Sequence, residues 1–284
     1  MPSYIKDKPI KKIGILAGQG NLPKKLAQNC RKNDIEPFII AFEGQTPKDI
    51  VQGFEHSWCN MGAAGKIFKT LKNHDIRDIV MIGGITRPAL SQIKPDMKGA
   101  ALLARMGMKA MGDNDLLEML HDVFIEEGFA VHGAHEFMDD LLATEGALGK
   151  FKPSPKMRET IKRGIVTARE IGRLDIGQSV IVQQGMVIGV EGIEGTDALI
   201  RRCHGYLRHG EGGILVKISK PQQSRSLDLP TIGPETVLAA SQSGLAGIIV
   251  EAQNTLFVDP EMMRDIADNN KIFIMAISVE DYIT

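Results

Sequence analysis

Cations, amides and one carboxylate are concentrated in residues 217–233, KISKPQQSRSLDLPTIG. The apolar residues 213–218 predict a strand before this segment, and residues 235–243 predict a helix after it. Pro221 and Pro230 each remove a backbone donor and fix φ, so the residues between them are predicted to form a loop. Because α/β proteins carry their sites on loops that follow strands, we predict that the chemistry of this protein lies here.

The side chains of this loop indicate an anionic ligand and a water-activating carboxylate. Lys217, Lys220 and Arg225 favour an anionic, phosphorylated ligand, and Lys220 and Arg225 would stabilise the charge of its pyrophosphate. Asp228 would orient or deprotonate an attacking water, since Ser224 is a poor proton acceptor and the loop contains no histidine. Taken alone, an aspartate at this place is equally typical of a turn or a helix cap.

A second group of carboxylates follows the predicted strand 186–190. Glu191, Glu194 and Asp197 recur at three-residue spacing before a predicted helix at 198–207. Carboxylates at the end of a strand are candidate ligands of Mg²⁺, directly or through water, together with Asp228 of the loop. They are equally typical of charges that complement a helix N-terminus, and both interpretations stay open.

A glycine loop follows the first predicted strand, residues 11–17. Gly18 and Gly20 permit close approach of a ligand to the backbone, and the N–H groups at the next helix could hold a phosphate or a uracil carbonyl. Asn21 is the predicted cap of that helix. Pro23 replaces the third glycine of a dinucleotide-binding motif, so NAD binding has weak support.

Strands and helices alternate through the first half, which predicts a parallel sheet with right-handed crossovers. The second half begins with a helix, continues with a hairpin whose turn contains Gln184, and alternates again. We therefore predict an α/β protein of two domains joined by a linker: a Rossmann-like N-terminal domain, 1–145, and a C-terminal α/β catalytic domain, 146–284.

A methionine-rich segment, residues 91–112, has two interpretations. Ordinary core packing is the default for its apolar stripe. The alternative is a flexible wall that accepts acyl chains, with Lys98 and Arg105 near phosphate groups.

Composition narrows the class of protein. The 284 residues carry a net charge of -1, and no long basic block appears, so nucleic acid is not an expected partner. Three widely spaced cysteines argue against disulfides or structural zinc. Because the sequence has neither an apolar stretch of about 18 residues nor a signal-peptide pattern, we expect a cytoplasmic protein. Serine-hydrolase, P-loop and zincin motifs are absent.

The chain resembles the LpxI family of UDP-2,3-diacylglucosamine pyrophosphatases of lipid A biosynthesis, nearly from end to end. The motifs that carry this resemblance are GILAGQGNLP at 14–23, GDNDLL at 112–117, VIVQQGMVIGVEGIEGTDALI at 180–200, KPQQSRSLDLPTIGPET at 220–236 and GLAGIIVEAQNTLFVD at 244–259.

The resemblance implies hydrolysis of a UDP-linked diacylglucosamine lipid to UMP and 2,3-diacylglucosamine 1-phosphate, with Mg²⁺ and with water attacking the phosphorus on the sugar side. The family's catalytic aspartate corresponds to Asp228. Where the family commonly has aspartate, this chain has Asn114 and Ser224. The candidate substrate-binding residues on these motifs are Gly18, Gly20, Asn21, Gln184, Thr196, Gln223 and Thr236.

A lipid substrate implies that the enzyme works in the cytoplasm or at the cytoplasmic face of the inner membrane, and the sequence leaves peripheral membrane contact and a homodimer open. Two alternative functions remain. One is a nicotinamide-dependent oxidoreductase that uses the glycine loop, and the other is a regulatory protein that binds a UDP-sugar without reacting.

Overall fold

The computed structural model describes residues 9–86, 94–106, 113–138, 141–221 and 229–283, and it describes their side chains except at 106 and 113–116. The chain divides into two compact units, unit 1 (Met1–Met138) and unit 2 (Asp139–Thr284). Both units combine a sheet with helices, so the predicted two-domain α/β class is confirmed.

Unit 1 contains a five-stranded sheet in which all described pairings are parallel. Its strands are β1 (Lys12–Ala17), β2 (Glu36–Phe42), β3 (Glu55–Cys59), β4 (Asp78–Ile82) and β5 (Ala130–His132), and the helices are α1 (Leu22–Lys32), α2 (Ala64–Asn73), α3 (Met97–Met106) and α4 (Asp113–Glu126). The strand order β3-β2-β1-β4-β5 confirms the Rossmann-like prediction. The order reverses between β1 and β4, where the glycine loop begins.

The core of unit 1 also explains part of the methionine-rich segment. Leu102 on α3 packs against the buried cluster that contains Phe68 and Phe124. Lys98 forms an ion pair with Glu127, and Arg105 forms one with Glu126, 3.2 Å from Nη1 to Oε2. Core packing therefore accounts for Leu102, while residues 107–112 of the segment lie outside the described residues.

Unit 2 contains a six-stranded mixed sheet and a small two-stranded sheet. The strands are β6 (Gly146–Ala147), β7 (Ser179–Gln183), β8 (Met186–Val190), β9 (Ile214–Lys217), β10 (Thr231–Ile232), β11 (Gly247–Glu251), β12 (Leu256–Phe257) and β13 (Phe273–Ile277). The helices are α5 (Arg158–Arg173), α6 (Thr196–Cys203), α7 (Pro234–Gln242), α8 (Pro260–Asn270) and α9 (Glu280–Ile283).

The large sheet of unit 2 has the order β6-β13-β11-β9-β7-β8. The strands β9, β11 and β13 are parallel, whereas β6, β7 and β8 each pair in the antiparallel sense. Helix α5 packs on one face through residues such as Ile161 and Ile165. Residues from α6, α7 and α8, such as Leu199, Val237 and Met263, belong to the core of the other face. Both faces of the sheet are covered, which accounts for its apolar strands.

The register of this sheet brings several segments to one edge. Ser179, the first residue of β7, pairs with Lys217, the last residue of β9, and Val180 pairs with Val190 at the end of β8. One edge of the sheet therefore contains the carboxyl ends of β8, β9 and β11 and the beginning of β7. We call it the catalytic edge because the loop predicted to carry the chemistry begins there. Among the helices that the structure describes, none combines the length and hydrophobicity needed to cross a membrane.

Candidate active site

Lys217 stands at the catalytic edge at the point where the predicted catalytic loop begins. It is only 7% exposed. Its Nζ donates to Oγ1 of Thr196 at 3.0 Å and to the carbonyl oxygen of Thr231 at 2.9 Å. A buried ammonium is costly unless hydrogen bonds and charge compensate it, so this side chain is held in one place.

The hydroxyl group of Thr196 connects Lys217 to a buried carboxylate. Thr196 Oγ1 donates to Oε1 of Glu191 at 2.7 Å, and it accepts from the hydroxyl of Ser179 at 3.1 Å. The other oxygen of Glu191, Oε2, accepts from the backbone N–H of Gln178 at 2.9 Å. Glu191 is 6% exposed, so its charge belongs to a buried network and not to the surface.

A second contact joins the first turns of α6 and α7. Thr236 Oγ1 donates to Oδ1 of Asp197 at 2.9 Å. Asp197 lies in the first turn of α6, and Thr236 lies in the first turn of α7. The predicted site residues Thr196, Asp197 and Thr236 are therefore brought together with Lys217.

Lys220 lies on the other side of the sheet, towards the end of α5. Its Nζ lies 2.6 Å from Oδ1 of Asp175, and the two side chains are 12% and 20% exposed. Asp175 follows α5 with a φ of 54°, a left-handed conformation that aspartate tolerates. This ion pair fixes the start of the loop to α5.

The segment between Lys217 and Lys220 is also fixed to β11. The backbone N–H of Ser219 donates to Oε2 of Glu251 at 3.0 Å, and its hydroxyl donates to the same oxygen at 2.5 Å. Asn254 Nδ2 donates to Oε1 of Glu251 at 2.8 Å. A pocket of about 250 Å³ lies beside these residues, and its lining includes Arg169.

Glu194 has a different environment from the other carboxylates. Its Oε1 accepts from Nη2 of Arg202 at 2.7 Å and from Nε at 3.0 Å. The hydrogen bond from Arg202 is the main cause that lowers the pKa of Glu194. Glu194 lies before α6, and its charge is compensated by Arg202 in the last turn of that helix and not by the helix N-terminus.

No preformed metal centre is visible within the part of the chain that the structure describes, since no three His, Cys, Asp or Glu side chains there are grouped for a metal ion. Both oxygens of Glu191 accept hydrogen bonds, and Glu194 is paired with Arg202. The carboxylate of Asp197 is half-buried and accepts from Thr236. Mg²⁺ is commonly held by one or two carboxylates plus substrate phosphates, so Asp197 fits such an ion best among the described candidates.

Gln184, one of the predicted residues, is not part of this arrangement. Gln184 lies in the turn of the β7–β8 hairpin with a φ of 50°, so the length of β7 separates it from Ser179 at the catalytic edge. That length is about 17 Å for five residues of strand. Gln223, Arg225 and Asp228 lie outside the described residues.

The glycine loop belongs to unit 1, and its own backbone explains why glycine is needed at Gly18 and Gly20. A Cβ on Gly18 would lie 2.4 Å from the carbonyl oxygen of Gly84, because the two backbones are in contact. Gly20 has a φ of +82°, which favours glycine, and nothing lies near its missing Cβ. Asn21 occupies the predicted N-cap position, but its side chain makes no capping hydrogen bond.

Three residues of the site were not predicted from the sequence: Asp175, Ser179 and Glu251. Lys217 is one of the cations that the sequence assigns to the loop, and the structure adds that it is buried at the end of β9. The three missed residues are separated from Lys217 along the chain, and only the sheet register brings them near.

Comparisons with known proteins agree on one family. The model of the LpxI N-terminal domain matches residues 12–141, and the model of the LpxI C-terminal domain matches residues 144–275. A protein of Caulobacter vibrioides named UDP-2,3-diacylglucosamine pyrophosphatase LpxI is 36% identical over 279 residues, which is 96% of this chain and 99% of that protein.

Among solved structures, the biotin carboxylase subunit of pyruvate carboxylase matches 61% of this chain and 35% of its own, with 12% identity and a TM-score of 0.28. A likeness at that TM-score carries no argument about fold or function. The two domain models together cover most of the sequence, and the relative spans both units. The chain therefore belongs to the LpxI family.

Proposed function

We propose that this protein hydrolyses the pyrophosphate bond of UDP-2,3-diacylglucosamine and releases UMP and 2,3-diacylglucosamine 1-phosphate. The relative that carries this activity in its name matches the chain over nearly its whole length. The observation that supports the chemistry most directly is the meeting of the first turns of α6 and α7, which the hydrogen bond from Thr236 to Asp197 joins at the edge where the predicted loop begins. Helix N-termini favour an anion, and a carboxylate beside them could share a metal ion with it.

The proposed reaction begins with attack by water on the phosphorus that bears the sugar. The bond from this phosphorus to the bridging oxygen breaks, and UMP leaves with that oxygen. One proton of the water passes to Asp228, which is the proposed general base. Hydrolysis of a phosphoanhydride needs little covalent chemistry from the protein, so positioning and charge neutralisation carry most of the catalysis.

The cations of the loop have distinct proposed tasks. Arg225 would bind the pyrophosphate directly. Lys220 is already paired with Asp175, so its task is to hold the start of the loop and to add positive potential near the phosphates. Gln223 and Thr236 remain candidates for contacts with the substrate.

Mg²⁺ is the proposed cofactor, and Asp197 and Asp228 are the proposed residues that would hold it. The ion would supply neutralisation of the charge on the pyrophosphate. Because the substrate carries two acyl chains, we place the enzyme in contact with the cytoplasmic face of a membrane during turnover. Neither alternative function gains support from the family models or from the relative.

The test is turnover of UDP-2,3-diacylglucosamine by the purified protein with Mg²⁺, followed by phosphorus NMR. We expect UMP and 2,3-diacylglucosamine 1-phosphate as products. Hydrolysis in water labelled with oxygen-18 should place the label in the lipid product. Label in UMP would contradict the direction of attack, and unchanged substrate would indicate a protein that only binds.

Variants of Asp228 test the base within the same assay. Asp228→Ala and Asp228→Asn should lower kcat by about two to four orders of magnitude. Asp265→Asn is the matched control, since Asp265 is an exposed residue on α8 with a side chain 70% exposed. If Asp228→Ala keeps more than about a tenth of the wild-type kcat, the assignment of the base is wrong.

A further inference from the structure

Lys217 joins the two ends of the predicted catalytic loop. It is the last residue of β9, and Thr231 is the first residue of β10. The contact from Nζ of Lys217 to the carbonyl oxygen of Thr231, 2.9 Å, therefore joins the two ends of residues 218–230. The loop that contains the proposed base begins and ends at one buried hydrogen bond.

The same ammonium is joined to a buried carboxylate through a single hydroxyl group. Thr196 Oγ1 accepts from Nζ of Lys217 and donates to Oε1 of Glu191, so the three groups form one continuous chain. Lys217, Thr196 and Glu191 are 7%, 9% and 6% exposed. In an environment so little hydrated, opposite charges interact strongly, so Glu191 compensates the charge of Lys217.

The hydrogen bonds of Glu191 also argue against a metal-binding role. Its Oε1 accepts from the hydroxyl of Thr196, and its Oε2 accepts from the backbone N–H of Gln178. Gln178 lies directly before β7, so Glu191 also connects the end of β8 to the start of β7. A carboxylate whose two oxygens both accept hydrogen bonds from the protein is suited to a structural role and not to binding an exchangeable metal ion.

A second contact holds the loop from the other side of its first residues. Ser219 is bound to Glu251 through its N–H and its hydroxyl, and Lys220 is bound to Asp175. These contacts fix the position at which the chain leaves β9, whereas the contact of Lys217 with Thr231 fixes the position at which the chain enters β10.

We infer that Glu191, Thr196 and Lys217 form one positioning unit for the reaction, which holds the ends of the loop that contains Asp228 in register with the first turn of α6. Within this unit, Glu191 is the counter-charge of Lys217 and not a metal ligand. This inference rests on the proposed function. It adds three positioning residues: Lys217 binds Thr231 directly after the loop, and Thr196 and Glu191 act through Lys217 and not on the reacting atoms. Displacement of a catalytic group by about 1 Å is enough to lower turnover by about 100-fold.

The first experiment compares kcat and KM of the wild type with those of Lys217→Met and Thr196→Val. Both variants should lower kcat by about 10- to 100-fold and raise KM less, because proton transfer to Asp228 depends on its exact position, whereas the charge attraction between Arg225 and the pyrophosphate tolerates a small displacement of the same loop. Thr196→Ser retains the hydroxyl and should keep several-fold more activity than Thr196→Val. Should Lys217→Met fail to fold, Thr196→Val tests the same chain of contacts without exposing a buried charge.

Thr160→Val is the matched control for the loss of a buried hydroxyl. Thr160 is 5% exposed and accepts from the N–H of Gly185, at the far end of the β7–β8 hairpin. It should lose stability but keep kcat. If Thr196→Val behaves in the same way, the role of Thr196 is merely structural and the inference is wrong.

The role of Glu191 is tested by the Mg²⁺ concentration that gives half-maximal activity. Glu191→Gln should lower kcat and leave this concentration unchanged within about twofold, whereas a metal ligand would raise it about 10- to 100-fold. Amide hydrogen exchange of residues 229–233 should become faster in Lys217→Met and in Glu191→Gln. An inactive wild-type protein would refute the proposed function, whereas fully active variants of an active wild type would refute the positioning unit alone.

Discussion

His132 is held between two carboxylates in unit 1, and this arrangement predicts how the stability of the unit depends on pH. Its Nε2 lies 2.8 Å from Oδ1 of Asp78, and its Nδ1 lies 3.2 Å from Oε2 of Glu136. These hydrogen bonds, that of Asp78 first, raise the pKa of His132 from 6.5 to about 9. The bond to His132 in turn lowers the pKa of Glu136.

The raised pKa of His132 corresponds to about 3 kcal/mol of stability, since one unit of pKa difference is equivalent to about 1.36 kcal/mol. Because the folded pKa is higher than the unfolded one, this stabilisation is complete below about pH 6.5 and is lost as the pH rises through about 9. The side chain of His132 is 15% exposed, so solvent screens little of the interaction.

The variant His132→Gln should therefore destabilise unit 1 by about 3 kcal/mol at pH 6 and by much less at pH 10, which corresponds to about 10 °C in Tm at the lower pH. Thermal unfolding at several pH values measures this difference, and amide hydrogen exchange of β4 and β5 assigns it to unit 1. NMR titration of the His132 imidazole should give a midpoint near the value of about 9.

His121→Gln is the control, because the polar contact of His121 among the described residues is with its sequence neighbour Asp122, whose side chain is 71% exposed. Its stability should differ little from that of the wild type at either pH. If the wild type and His132→Gln show parallel stability profiles from pH 6 to pH 10, or if His132 titrates near pH 6.5, the reasoning about this cluster is refuted.

Gly18→Ala should lower the stability of unit 1 by about 1–3 kcal/mol in thermal unfolding, since its Cβ would meet the backbone of Gly84, and an unchanged Tm would contradict that contact. Glu251→Gln should lower kcat about tenfold with little change in KM, because Ser219 loses a charged acceptor worth about 1.4 kcal/mol. A change confined to KM would instead place Glu251 in substrate binding. Glu194→Gln should leave both kcat and the Mg²⁺ requirement unchanged, since Glu194 is paired with Arg202, and a raised requirement would return it to the metal site.

The sequence predicts the fold well wherever an apolar run is long enough to be buried on both faces. The first predicted strand, residues 11–17, corresponds to β1 (Lys12–Ala17), in which every residue after Lys12 is buried. The strand β8 also has its predicted bounds, residues 186–190, although it is partly exposed. The strand β3, EHSWC, was missed because its residues are mostly polar and partly exposed, and it lies at the border of the sheet. Strands of two residues, such as β6 and β10, carry no periodic signal.

The site was predictable where its residues belong to one short motif. The motif EGIEGTD contains Thr196 and Asp197, which the structure brings together with Lys217 and Thr236. Gln184 belongs to the same family motif, but the extended strand β8 lies between it and Glu191. The two residues are therefore close in sequence and far apart in space. The partners Asp175 and Glu251 depend on long-range register, which no local pattern contains.

The strand pairing of unit 2 determines when its sheet is complete during synthesis on the ribosome. The strand β6 lies at the beginning of this unit, and its one partner among the described strands is β13, through Gly146 with Ala276 and Ala147 with Met275. By contrast, every described strand partner in unit 1 has been synthesised once residue 132 has left the ribosome. Unit 1 can therefore form its sheet first, because domains generally fold as units from the N-terminus. The sheet that carries Lys217 becomes complete only after β13 (Phe273–Ile277) has emerged, so we expect no turnover from a nascent chain that ends before this strand.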